Sequence, residues 1–92
     1  MIAINVISIA SDNPFEFEVI LREGNSESRY AVTMTRRTHE DLAPNSSVEA
    51  CIEAAFRFLL DREPKESILK RFDIAVIARY FPEFERALPQ YL

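Results

Sequence analysis

Glycine, cysteine, histidine and tryptophan are scarce in this chain of 92 residues, which has one glycine, one cysteine, one histidine and no tryptophan. One glycine cannot build the glycine-rich phosphate loops GxGxxG and GxxxxGK[ST], and neither motif occurs. Because Cys51 is the only cysteine, no intrachain disulfide can form, and we expect a reducing, cytoplasmic location. His39 and Cys51 are each alone of their type, so the sequence predicts neither a metal site nor a cofactor.

Long apolar runs and an excess of basic charge are missing as well. No run approaches the ~18 apolar residues of a membrane span, so no membrane contact is expected. The apolar N-terminus, residues 1–10, lacks the basic residues that begin a signal peptide. Eleven basic residues face 15 acidic ones, for a net charge of −4. This balance disfavours nucleic acid as a partner, because cationic side chains drive most binding to phosphate backbones.

The composition that remains is that of a folded globular chain. Hydrophobic residues make up 48% of the sequence and charged residues 28%, which is close to the average for globular domains. The length predicts a single domain over residues 1–92.

Apolar and polar side chains alternate in the first third of the chain, as is typical of strands. The pattern predicts three strands, at about residues 2–10, 14–23 and 28–36. Phe15 and Phe17 share one face of the second strand, and Glu16 and Glu18 share the other, which we expect to be solvated. Gly24 lies where a tight reversal is needed, so the three strands are expected to form an antiparallel meander.

Helical periodicity begins after Pro44. The sequence Ser46-x-x-Glu49 has the form of a capping box, Pro64 favours a break, and Asp73 can cap a further segment. We predict helices at about 46–62, 65–72 and 73–81 and a short turn at 83–88. The expected fold class is α+β, with the helices packed on one face of the sheet.

Candidate chemistry is sparse. Cys51 lies on the apolar edge of a predicted helix, where a cysteine behaves as a small hydrophobic residue. His39 stands beside carboxylates in a polar link, which is compatible with an ordinary loop histidine or with a small-ligand pocket. Neither pattern predicts catalysis, and we expect no enzymatic activity.

Two binding hypotheses remain open. The terminal segments carry more apolar side chains than one helical stripe should bury, which suggests a protein interface or a homodimer. The candidate interface residues are Val76, Tyr80, Phe84 and Tyr91. The uncharged first strand, as a sheet edge, would also favour pairing between chains. The alternative is a nucleic-acid-binding regulator, with a helix-turn-helix over residues 65–84. Its contacts would be Arg36, Arg37, Lys70, Arg71 and Arg79.

The layout of three strands followed by a helix, over residues 2–62, resembles HicB-type antitoxin domains. The sequence Glu66-Ser67-Ile68-Leu69-Lys70-Arg71-Phe72, with Tyr80-Phe81-Pro82-Glu83-Phe84, is similar to small uncharacterised bacterial proteins. The first resemblance implies an antitoxin-like regulator, and the second implies no catalytic residues.

Overall fold

The computed structural model describes residues 1–92, which form a four-stranded sheet with helices on one face. The strands are β1 (Ala3–Ser11), β2 (Phe15–Glu23), β3 (Ser26–Met34) and β4 (Arg71–Asp73). The α-helices are α1 (Arg36–Leu42), α2 (Val48–Leu60), α3 (Ile77–Tyr80) and α4 (Phe84–Ala87). Short 3₁₀ turns occupy Lys65–Ser67, Ile74–Val76 and Leu88–Tyr91. The predicted α+β class is therefore confirmed.

The first three strands form the predicted antiparallel meander, and the sheet order is β1-β2-β3-β4. Gly24 has a φ of 60°, and Asn25 does not share that positive sign. A glycine with positive φ at the first central position is typical of a type II′ turn, whose twist matches that of the flanking strands. Glu23 and Ser26 are the pair that this two-residue turn joins.

The main core lies between the sheet and α2. The alternation in β2 and β3 turns large side chains toward the helix, and Phe56 of α2 is fully buried against them. The sheet contributes seven buried residues to this core: Phe15, Phe17, Val19, Leu21, Tyr30, Val32 and Met34. Tyr30 and Phe56 pack edge to face with ring centroids 5.5 Å apart, a favoured aromatic geometry.

The prediction of a helix over residues 65–72 is wrong. Lys65–Ser67 is a 3₁₀ turn, and residues 71–73 form β4, which pairs in parallel with β3. Backbone polar groups at the edge of β3 provide the reason, because the amide of Ala31 donates to the carbonyl of Lys70 at 2.8 Å. The hydroxyl of Tyr30 donates to the carbonyl of Lys65 at 2.8 Å, which ties the turn to the sheet as well.

Asp73 ends β4 and caps the turn that follows it, as predicted. Its Oδ1 accepts a hydrogen bond from the amide of Ala75 at 3.0 Å, and its Oδ2 accepts one from the hydroxyl of Thr33 at 2.6 Å. These two bonds join the short parallel strand to its neighbour and begin the C-terminal segment.

We expect Asp73→Ala to lower the free energy of unfolding by about 2 kcal/mol, since it removes a cap and a charge-assisted hydrogen bond. Asp73→Asn keeps an oxygen that can accept from the Ala75 amide, and its NH2 group can donate to the Thr33 hydroxyl instead of accepting from it, so it should cost less than half as much. Urea denaturation of both variants measures the difference. An equal loss in the two variants would contradict the role assigned to the cap.

The polar link after β3 contains a helix that the apolar pattern did not indicate. Thr35 caps α1, its hydroxyl accepting from the amide of Thr38 at 3.1 Å, and Arg37 pairs with Asp41 at 3.6 Å. No residue of α1 is buried, so apolar periodicity could not reveal it. In α2 the cap is Ser47 rather than the predicted Ser46.

The C-terminal segment is a chain of short turns. The predicted helix over 73–81 is a 3₁₀ turn followed by α3. The helix does not continue across Pro82, because Phe81 leaves the helical region with φ −132° and ψ 88°. Residues 84–91, partly predicted as a turn at 83–88, form α4 and a final 3₁₀ turn.

Candidate interaction site

An apolar cleft of about 360 Å³ opens beside β4, where the 65–67 turn, the end of α2 and α3 meet. Eight of its ten lining residues are hydrophobic: Leu59, Ile68, Leu69, Phe72, Val76, Ile77, Tyr80 and Phe81. Leu69 is 52% exposed and Tyr80 is 68% exposed, so both stand open to solvent at the cleft. Exposed large apolar side chains around a concavity are characteristic of binding surfaces.

The polar members of the cleft are Glu63 and Ser67. Glu63 is half-buried, and its carboxylate takes part in none of the salt bridges of the molecule. A negative charge therefore lies beside the apolar lining without a basic partner of its own.

The four candidate interface residues divide into two pairs. Val76 and Tyr80 line the cleft. Phe84 is only 1% exposed and packs on Phe58 with centroids 5.0 Å apart, so its assignment to an interface is wrong. Tyr91 is half-buried, and its hydroxyl donates to Asp61 at 2.6 Å. This hydrogen bond engages the hydroxyl of Tyr91 within the chain.

Leu69 and Phe72 are cleft residues that the sequence pattern did not select. A helix over 65–72 would have placed both on its buried apolar face. The strand β4 instead turns Phe72 toward Phe56, with centroids 6.0 Å apart, and leaves Leu69 in the exposed turn before it. The sequence shows both as apolar residues, but their place at the cleft could not be inferred while residues 65–72 were predicted to form a helix.

The five candidate nucleic-acid contacts do not form one patch. Lys70 and Arg71 lie beside Ala31 of β3, whereas Arg36 and Arg37 follow the end of that strand, which is three residues, or about 10 Å, farther on. The guanidinium of Arg36 lies 5.7 Å from the Phe15 ring centroid, and Arg37 pairs with Asp41.

Arg79 stands on a separate element, α3. No helix-turn-helix is present, because its first helix would require residues 65–72, which form a turn and a strand.

The open face of the sheet is a groove of mixed charge, with a volume of about 600 Å³. Its charged lining residues are Glu16, Glu18, Arg29, Lys70, Arg71 and Asp73. Arg29 bridges Glu18 at 3.4 Å and Glu27 at 3.0 Å, and its hydrogen bond is the main reason that the pKa of Glu27 is lowered. Alternating charges of both signs are typical of a solvated face, whereas a surface that binds a phosphate backbone carries an excess of positive charge.

His39 and Cys51 are both engaged in the structure of the monomer. The Nε2 atom of His39 is 2.7 Å from the carbonyl of Ser46, and its ring packs edge to face on Phe15. Cys51 is fully buried, and burial raises the pKa of its thiol to about 11. A thiol with that pKa is protonated at neutral pH and is not a nucleophile.

No group of three or more histidine, cysteine, aspartate or glutamate side chains is arranged to hold a metal ion. None of the helices combines the length and apolarity that crossing a bilayer requires. Comparison of the chain with protein-family models, curated proteins and solved structures finds no match.

Proposed function

We propose that this protein is a non-enzymatic interaction domain that binds an apolar segment of a partner protein in the cleft beside β4. The observation that carries the proposal is the exposure of Leu69 and Tyr80 at the cleft. Leaving side chains of this size in water forgoes up to about 2 kcal/mol each, which a partner that covers them would recover.

Glu63 adds a preference for a basic residue in the partner to this recognition of apolar side chains. Glu63 is half-buried among the cleft residues and its carboxylate forms no salt bridge, so a lysine or arginine beside the partner's apolar side chains would complement it. The proposed partner segment therefore combines at least two large apolar side chains with one basic residue.

The burial of Cys51 supports a function without catalysis, because its thiol stays protonated at neutral pH and cannot act as a nucleophile. A cytoplasmic location is part of the proposal, and it rests on the single cysteine, which fits a reducing compartment. The arrangement of the basic residues favours no second function.

Selection of a displayed random-peptide library on the purified protein tests the proposal. We expect the enriched peptides to combine apolar and basic residues, and Tyr80→Ser to weaken their binding at least tenfold, or about 1.4 kcal/mol. Glu63→Gln should weaken binding only for peptides that carry the basic residue. Fluorescence anisotropy with synthetic peptides measures each dissociation constant.

The matched control is Ile9→Ser, which removes an exposed apolar side chain (64% exposed) from the opposite edge of the sheet. It should leave peptide binding unchanged. Peptides that bind the wild-type protein and Tyr80→Ser with equal affinity would overturn the assignment of the cleft.

A further inference from the structure

The two edges of the sheet are built differently. The β4 edge has only three residues, and two of them, Arg71 and Asp73, are charged. The β1 edge has nine residues, Ala3–Ser11, with no charged residue and no proline. Short length, charge and proline are the devices by which natural proteins prevent an edge strand from pairing with another chain. The β4 edge has such protection, and the β1 edge lacks it over most of its length.

We propose that β1 pairs in antiparallel orientation with β1 of a second copy of this chain, which joins two four-stranded sheets into one of eight strands. Every second residue of an edge strand turns its backbone N–H and C=O groups away from the sheet, and a paired strand supplies the missing partners. The proposal concerns a surface separate from the cleft, which lies beside the other edge.

The strand order selects a second copy of β1 as the occupant. The strands β2 and β3 lie inside the sheet and are already paired on both sides, and β4 offers only three residues, two of them charged. A second β1 is therefore the only strand of another copy that can pair with β1 along its length. Two copies of β1 bring only uncharged residues together, so no like charges oppose each other across the new ladder.

The side chains on both faces of β1 fit this arrangement. Ile4 and Val6 pair with the fully buried Leu21 and Val19, so they lie on the core face, yet both remain half-buried at the rim of the core. On the open face Ile7 is 38% exposed. With the two-fold axis perpendicular to the sheet, both helical layers lie on one side and the rims of the two cores become continuous.

A bulge limits the length of the new pairing. The register of β1 against β2 shifts between Ser8 and Ala10, and a bulge twists the strand away from a flat partner. The regular part, residues 3–8, spans about 20 Å, which is typical of a complete strand in a sheet.

Analytical ultracentrifugation tests the proposal. We expect the wild-type protein to dimerise at high micromolar concentration. Asn5→Lys and Ile7→Lys each add a positive charge to both copies close to the two-fold axis, where the two charges repel, and should raise the dimer dissociation constant at least tenfold. Both positions are exposed, so folding is retained. Tyr80→Lys, a similar change at the cleft, should leave dimerisation unaffected.

Hydrogen exchange identifies the surface independently. Backbone amides within residues 3–8 that face the open edge should gain protection as the concentration rises, and cleft residues should not. A wild-type protein that stays monomeric at high micromolar concentration would overturn the proposal. So would a dimer that Tyr80→Lys disrupts and Ile7→Lys does not, or one without concentration-dependent protection in β1. None of these results affects peptide binding at the cleft.

Discussion

Phe58→Ala is expected to lower the free energy of unfolding by about 4 kcal/mol, because it removes a fully buried ring and leaves a cavity. Three other aromatic rings pack on Phe58 edge to face, those of Phe81, Phe84 and Tyr91, at centroid distances of 5.8, 5.0 and 6.0 Å. The guanidinium of Arg62 lies 3.7 Å from its centroid on the ring face. All of these contacts are lost together with the ring.

The loss should be concentrated in the C-terminal segment. Residues 77–91 consist of turns of four residues or fewer, which have no stability of their own and depend on tertiary packing. Phe58 is the side chain of α2 on which three of their rings converge. In Phe58→Ala, hydrogen exchange should therefore accelerate more in residues 77–91 than in β2 and β3.

Urea denaturation provides the magnitude, and Phe58→Leu provides the control. Leucine fills most of the volume and should cost roughly half as much as alanine, since it replaces the hydrophobic contacts but not the edge-to-face pairs. A loss below about 1.5 kcal/mol for Phe58→Ala, or acceleration spread evenly over the chain, would contradict the central role of this ring.

Local patterns predicted the elements whose side chains repeat with a clear period. The alternation through Phe15, Phe17 and Val19 fixes both the strand and its buried face, because a shift of one residue would expose every large side chain. Gly24 then fixes the hairpin and, with it, the pairing of β2 with β3. The helix α2 can be predicted equally well, since seven of its residues are buried and repeat with helical spacing.

The elements that were missed depend on partners far away in sequence. Residues 71–73 become a strand because β3 presents free backbone groups to them, 40 residues earlier in the chain at Ala31. No local pattern within residues 65–73 indicates that they pair with β3, and the spacing of their apolar residues suits a helix equally well. The helix α1 was missed for the opposite reason, because six of its seven residues are polar and it begins at the cap formed by Thr35.

The candidate site was predictable only in part for the same reason. An apolar surplus in residues 74–92 indicates that some side chains stay exposed, but it cannot say which ones. Phe84 is buried against the ring of Phe58, and the hydroxyl of Tyr91 donates a hydrogen bond to Asp61. Tyr80 has neither kind of partner and remains 68% exposed. Which apolar residue faces solvent is decided by contacts between segments rather than by the segment itself.

The stability of the protein should fall by about 2 kcal/mol between pH 9 and pH 11 through Cys51 alone. Burial raises the pKa of this thiol from its ordinary value of 9.0 to about 11 in the folded chain. Above pH 9 the unfolded chain loses the proton while the folded chain retains it, so unfolding becomes more favourable. The stabilisation is complete below pH 9 and is lost as the pH rises through 11.

Cys51→Ala isolates this contribution. The variant loses the contact of the sulfur with the Met34 sulfur at 3.8 Å, which lowers its stability by a constant amount at every pH. Burial also raises the pKa of Tyr30, but that titration is common to both proteins and cancels in their difference. The difference in unfolding free energy, from urea denaturation, should therefore shrink or change sign between pH 9 and pH 11. Parallel stability curves for the two proteins would show that the thiol ionises as easily in the folded chain as in the unfolded one, which contradicts its burial between α2 and the sheet.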